Sequence, residues 1–596
     1  MWTIICETPL TRVWKVFGGW IFQVEANSPL FVTDPDHLTV WASASEPLPS
    51  PEPQPAPVDP APAPTPVEPT PTPVEPVPEP APEPMPTPEP VPAPIPTPEP
   101  TPVEPAPAPV DPIPTEPTVP DPVPPPVVGP TKKFLLGTNA AELADWEPDL
   151  PFANVMMSAR PWISNTSSQW DDGRVVSVDK DNQVTSLLSG QMAQTLLFWG
   201  LNPPSFRAGK YRLTWEGDGD FAFTQNATLS EKGTNYQIVD IQKGSVILKL
   251  IRVNPNNYPK NIRLVHVDNK SNVLSDDFMA SFAPYSVLRT MDWQHTNFGN
   301  HSTPGQLTSS AAICGAIPAP EMLAAAASEL KSALWVNIPY AATDEYVKEF
   351  LSRIKKSTLN HVYVEYSNES WNGMFPAHNY VKTKGMELKL ASSQYDAGMF
   401  YHALRSSEVA KIAKDVLGIQ CTTVLGAQAS VSWWANEMLK KYKTNIDALA
   451  IAPYFGTELG TGTLGATVAN ESIDQLFARI QNDSVPLSKK WVTENLQIAK
   501  THNVRLIAYE GFNHLVGVGA NQSNTKLNAL FDAAQYDSRM ETVYKDFLQF
   551  WKTSVDDLFV HFNLVSVYGR YGRWGAAERH GVETPKTRAL KAFGKI

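Results

Sequence analysis

Cysteine is scarce in this chain, a surplus of positive charge is missing, and no apolar run approaches the roughly 20 residues that span a bilayer. The three cysteines, Cys6, Cys314 and Cys421, match neither a zinc-ligand spacing nor a disulfide framework, and read as free or buried thiols. No His/Asp cluster argues for a metal, and no cofactor is called for. The first residues lack a basic n-region, so an ordinary secretion signal is not expected. Lys and Arg are absent between Pro47 and Pro130, a stretch that holds 39 of the 58 prolines and 12 of the 61 acidic residues. Outside it 49 acidic residues face 48 basic ones, so the net charge of −13 belongs to that stretch. A balance near neutrality gives no support for nucleic-acid binding or for steering by an anionic surface, and makes a neutral polymer the natural partner.

What is present divides the chain. Residues 1–46 carry short aromatic runs, Trp14 to Glu25, Leu30 to Val32 and Leu38 to Trp41, punctuated by Gly18-Gly19 and Asp34-Pro35-Asp36. This predicts a small β-unit too slight to be stable alone, hence a possible anchor on a partner or particle. Residues 47–130 cannot form a core; their composition predicts a disordered, polyproline-II-rich spacer reaching roughly 260 Å if fully extended at ~3.1 Å per residue. From Lys132 the pattern is globular. Residues 131–170 begin a barrel, 171–275 alternate apolar and polar positions as a β-sandwich does, and 276–596 alternate strands with helices.

Eight strands are predicted: Phe134 to Gly137, Val287 to Arg289, Leu334 to Ile338, His361 to Glu365, Thr422 to Leu425, Ala448 to Ile451, Arg505 to Ala508 and Leu558 to Phe562. Helical spacing marks 318–332, 343–356, 392–417, 433–442, 472–480 and 540–553. Together they predict an α/β chain, a (β/α)8 TIM barrel with the β-sandwich associated or inserted after its first strand.

The segment Val362-Tyr-Val-Glu-Tyr-Ser-Asn-Glu-Ser-Trp-Asn372 places Asn368 and Glu369 at the carboxyl end of the fourth strand, where such barrels carry their chemistry. Arg505 to Gly511 places Glu510 at the same end of the seventh. Two carboxyls facing across a barrel mouth suit glycoside hydrolysis, in which one protonates the leaving oxygen while the other attacks the sugar or activates water. The charge of Glu510 is expected to keep a proton on Glu369.

These segments, with Ser286 to Trp293, Ala450 to Gly456 and Ala508 to Gly511, resemble clan A of the glycoside hydrolases, the 4/7 superfamily. The closer likeness is to bacterial proteins labelled cellulose-binding or glycosidase-like, and covers roughly residues 132–593. The resemblance implies a retaining enzyme acting on a β-linked polysaccharide, with Glu369 as acid/base, Glu510 as nucleophile and Asn368 as a donor to a sugar hydroxyl. It implies that Arg289 holds the nucleophile ionised, that Tyr454 hydrogen-bonds it, and that Trp574 is a stacking platform; Trp371 is either wall or platform. Phe512 departs from the glycine often found there, and is expected either to narrow the site or to pack beneath it.

Other readings stand beside these. Arg289 could pair with Asp292, and His295, His378 and His514 read as hydrogen-bonded structural residues. The barrel could serve a glycan-binding adhesin with little turnover. The spacer and N-terminal unit suit an appendage of a phage or cell surface, which implies an extracellular, cell-surface or virion-associated setting.

Overall fold

The computed structural model describes residues 134–595 in full and, ahead of them, the backbone of three strands. Those strands, Thr3–Thr8, Thr11–Val16 and Gly19–Gln23, pair in sequence as an antiparallel meander. The expectations for residues 24–46 and for the spacer lie outside the described residues.

Eight parallel strands close into a barrel in chain order: β1 (Leu136–Asn139), β2 (Val287–Arg289), β3 (Ala333–Ile338), β4 (Val362–Tyr366), β5 (Cys421–Ala427), β6 (Ala448–Ile451), β7 (Arg505–Ala508) and β8 (Phe559–His561). All eight expected strands are present, with boundaries shifted by no more than a few residues at either end.

Both faces of every strand are buried, so the sequences read as nearly unbroken apolar runs. Within β6, Ala448 and Ala450 point into the barrel with Val287, Trp335, Tyr363, Val424, Ile507 and Val560, while Leu449 and Ile451 pack against the surrounding helices. The small β6 side chains leave room for Trp335 and Tyr363, whose rings stack at 5.2 Å.

The six expected helices form, at Pro320–Glu329, Asp344–Ser357, Gln394–Leu417, Ser432–Tyr442, Ile473–Arg479 and Ser538–Ser554. Six more were not anticipated: Asp276–Phe282, Pro376–Glu387, Gly462–Val468, Val485–His502, Thr525–Tyr536 and Pro585–Phe593. In Pro376–Glu387 and Pro585–Phe593 a proline occupies the first turn, where its missing N–H has no intrahelical acceptor to lose, whereas Pro486 follows directly on a π-helical turn, Ile480–Ser484.

Between β1 and β2 the chain builds a curled antiparallel sheet. Its strands run in the order Lys260–His266, Gly209–Glu216, Tyr236–Val253, Met192–Leu197, Ile163–Asn165, with Gly219–Gly233 hairpinned onto the long central strand. That central strand pairs with Gly209–Glu216 through Tyr236 to Ile241 and with Met192–Leu197 through Val246 to Leu250. Gly244 and Ser245 (φ +60°) intervene, and there the sheet turns. It encloses its own core, which includes Leu213, Val239, Leu248 and the free thiol Cys314.

Candidate active site

Arg289 ends β2 with its guanidinium wholly buried, and every N–H of its fork that faces the site is used. Nη1 donates to Asn139 Oδ1 (3.0 Å) and Glu510 Oε2 (3.1 Å). Nη2 donates to Glu365 Oε2 (2.8 Å) and Asn368 Oδ1 (2.9 Å), and Nε reaches the same Glu365 oxygen at 3.3 Å. The planar fork thus ties together the carboxyl ends of β1, β2, β4 and β7, and the Tyr509 ring lies 5.0 Å from its carbon. The ion pair with Asp292 does not form; Asp292 is pushed up to about 6 by burial, with Arg289 only pulling against it.

Glu365 was not among the expected site residues. Its Oε2 also accepts from Trp335 Nε1 (2.9 Å) and Asn337 Nδ2 (2.8 Å), so one buried carboxylate oxygen collects donors from β2 and β3. Gly426 on β5 makes room for it: a β-carbon there would stand 3.2 Å from Glu365 Oε1. The available signal was the charge itself, a glutamate at an inward position of the otherwise uncharged run Val362–Tyr366.

Glu369 follows β4 in a tight turn, with Ser367 at φ +59° and Glu369 itself at φ +38°, both in the left-handed region. Its Oε1 accepts the Tyr509 hydroxyl at 2.8 Å and its Oε2 accepts Asn372 Nδ2 at 3.1 Å. The turn is buttressed by the buried His402, which bonds Ser370 Oγ (2.9 Å) and the Gly426 carbonyl (3.2 Å) and is pushed down to about 4 by burial. Asn368 gives its oxygen to Arg289 and donates from Nδ2 to Asn297 Oδ1 (2.8 Å).

Glu510 follows β7 and is 6% exposed. Burial, then the Glu369 carboxylate and Asp292, push it up to about 8, while Arg289 and the Tyr454 hydroxyl pull it down. The nearby Glu369 charge thus adds to burial in making Glu510 hard to ionise.

Tyr454, Trp574 and His514 form one aromatic corner, with ring centroids 6.0 Å (Tyr454–Trp574), 5.3 Å (Tyr454–His514) and 4.9 Å (His514–Trp574) apart. Trp574 is half-buried and donates from Nε1 to the Tyr571 carbonyl (3.1 Å). Trp371, also half-buried, leans its edge on His402 and lies against Gly426 at the barrel mouth. His378 bonds the Ser370 carbonyl at 3.2 Å.

Phe512 resolves to the second of its two expected placements. It is fully buried, stacked on Tyr544 at 4.2 Å, and packed against Phe559 and Phe547 beneath the site. Its φ of +86° is one that glycine adopts without strain, which accounts for the departure being unusual. Among the described residues no group of His, Cys, Asp and Glu is arranged to hold a metal ion.

No protein-family model matches the chain, and no curated protein matches it in sequence. Solved structures do. The GH51 arabinofuranosidase from Xanthomonas axonopodis pv. citri is 11% identical over 55% of this chain and 68% of its own, with a TM-score of 0.34. The CBM22-1–GH10 modules of a Clostridium thermocellum endo-1,4-β-D-xylanase are 7% identical over 76% of this chain and 96% of their own, at 0.33. A Bacteroidetes-affiliated GH5 cellulase is 12% identical over 55% and 87%, at 0.31. The fold assignment rests on the strand registers described above and not on these likenesses.

Proposed function

We propose that the chain is a retaining glycoside hydrolase acting on a β-linked polysaccharide. The observation that carries this reading is the pairing of Glu369 with Glu510 at one barrel mouth, one held by Tyr509 and the other by the buried Arg289. Their mutual repulsion keeps one proton on the pair, and a double displacement starts from one acid and one carboxylate. With glycan bound, the proton resides on Glu369. The Glu510 carboxylate attacks the anomeric carbon as Glu369 protonates the departing oxygen, and the sugar is left as an ester on Glu510. Glu369, now a carboxylate, takes a proton from the incoming water, whose oxygen displaces Glu510 and restores both groups.

Asn368 has a second N–H on Nδ2 to offer a sugar hydroxyl beside the reacting carbon, since Asn297 uses only one. Trp371, after β4, and Trp574, beyond β8, are partly buried rings read as stacking platforms for sugar. The N-terminal 46 residues are read as an anchor that displays the enzyme outside a cell or on a particle.

The test is a panel of neutral polysaccharides digested by the full chain and by Glu510→Gln, with reducing ends counted and the first-formed anomer followed by NMR. Loss of hydrolysis in Glu510→Gln with retention in the parent supports the reading. Inversion refutes the nucleophilic role of Glu510, and binding without turnover in the parent makes the barrel a glycan-binding module.

A further inference from the structure

The loop that leaves β1 starts at the catalytic network and ends in a cluster of tryptophans. Asn139 bonds Arg289 through its side chain, and the next residue, Ala140, donates its N–H to the Arg289 carbonyl (3.1 Å). Trp146 lies seven residues beyond Asn139, so at most about 25 Å of extended chain separates it from the site. Over Trp146 sits the guanidinium of Arg160, at 5.2 Å, and the same group lies 6.0 Å from the Trp199 ring. Trp199 in turn is 6.4 Å from Trp170, whose ring is 45% exposed.

The backbone that carries Trp199 and Trp170, and the Arg160 side chain, are fixed. The Trp199 N–H donates to the Asp145 carbonyl (2.7 Å), tying the end of Met192–Leu197 to the β1 loop, and the Trp170 carbonyl accepts from Gln194 Nε2 (2.7 Å) on that same strand. Arg160 is locked by a two-pronged pair with Asp145, at 3.0 and 3.1 Å, whose carboxylate is fully buried. A single exposed tryptophan needs no explanation, but two over one arginine with a third against the second form a run of partly exposed rings outside the buried cores.

We propose that Trp146, Trp199 and Trp170, with Arg160 between the first two, form a second glycan-binding surface that takes up neutral β-linked polysaccharide as it leaves the barrel mouth along the β1 loop. It rests on the reading of the mouth as a glycan site, and extends it onto the curled sheet. The rings offer flat apolar faces to the C–H faces of sugar rings. The charge of Arg160 is already spent on Asp145 and that of Arg174 on Asp172, while burial pushes Glu147 up to about 8, so no free positive charge on these residues draws in an anionic glycan and a neutral one meets no penalty. The occupant is therefore the same chain that lies in the cleft.

The test uses the full chain, with xylan, galactomannan and mixed-linkage β-glucan as neutral probes and polygalacturonate as the anionic one. Retention in polysaccharide-loaded native gels and hydrolysis are both measured. Trp170→Ala, chosen because its ring is the most exposed, weakens retention by the preferred neutral polymer roughly tenfold, the usual scale for losing one stacked aromatic. It also lowers kcat/KM on that polymer relative to a short aryl glycoside by a similar factor. Trp146→Ala, with far-UV circular dichroism to check folding, does the same. Unchanged retention in both variants, or tighter retention by polygalacturonate, overturns the proposal. Hydrolysis by a chain whose retention ignores Trp170 leaves the catalytic reading standing, whereas Trp170-dependent retention without hydrolysis leaves the surface standing and sinks the catalytic reading.

Discussion

Under the proposed mechanism, replacing Glu369 by Gln separates the acid from the nucleophile. The amide keeps the shape of the side chain and can still accept the Tyr509 hydroxyl, which lies 2.8 Å from Oε1. It removes the proton donor, so glycans with poor leaving groups lose about 10²–10⁴ in kcat/KM, whereas an aryl glycoside that leaves without protonation is largely spared in the first step. The pH profile carries a second signature. In the parent the pair holds its proton up to about 8, so activity falls above that pH as the acid is lost. Without the Glu369 charge, Glu510 ionises more easily. For carboxyls about 5.5 Å apart, as retention requires, and an effective dielectric near 20, the lost repulsion is about 3 kcal/mol, or roughly two pKa units as an upper limit. Activity of Glu369→Gln on the activated substrate therefore rises at lower pH and shows no alkaline fall. Steady-state kinetics from pH 4 to 10 on both substrates check this. An alkaline limb that survives the substitution, or equal losses on both substrates, would falsify the division of labour.

Three further outcomes are expected. Asp149 is fully buried and pushed up to about 7, so the folded chain keeps a proton that the unfolded chain releases near 3.8; stability therefore falls as pH rises from about 4 to 7 and levels off above. Asp149→Asn, which still accepts the Ala141 N–H, flattens that slope in urea titrations at pH 5 and 8 and gains up to about 4 kcal/mol at the higher pH; a parallel slope in the variant refutes it. Phe512→Gly relieves a left-handed backbone worth about 1–2 kcal/mol but removes a buried stacked ring worth about 3–5, so the unfolding free energy falls by a net ~1–4 kcal/mol, read as a lower urea midpoint, and an unchanged midpoint would show that the ring is not packed beneath the site. Glu365→Gln removes a negative charge that shares Arg289 with Glu510, so the alkaline limb moves below about 8; a limb displaced upward contradicts the shared-guanidinium account.

The barrel was legible because its strands are short, apolar and spaced by helices, and β6 and β7 could be bounded to the residue. The helices at Pro376, Pro486 and Pro585 were not, since a proline read along the chain looks like a stop whichever turn it occupies. Of the site, Glu369 and Glu510 were visible as polar residues at strand ends. Asn139, Asn297, Asn337, Glu365 and Tyr509 were not, although each bonds Arg289, Glu369, or a side chain that does. Most of these sit within a strand or at its edge, where alternation has two buried faces to choose from and sequence does not say which face is the mouth. Trp146, Trp170 and Trp199 come together only through pairing of the curled sheet with the β1 loop, contacts that no local pattern encodes.

The charge count at the mouth links this network to the chemistry. Three carboxyls, Glu365, Glu369 and Glu510, face one guanidinium, and the two that bond it directly are buried. Ionised together they would leave a double negative charge in a medium that solvates it poorly, so one proton must stay. Glu365 Oε2 is surrounded by N–H donors from Arg289, Trp335 and Asn337. Glu510, pushed up to about 8 by burial and by the Glu369 charge, is the group that is hard to ionise there. Glu365 takes up half of the guanidinium, so that Arg289 holds Glu510 in place without locking it as a carboxylate, and the proposed mechanism needs a proton at the mouth where a leaving oxygen can reach it.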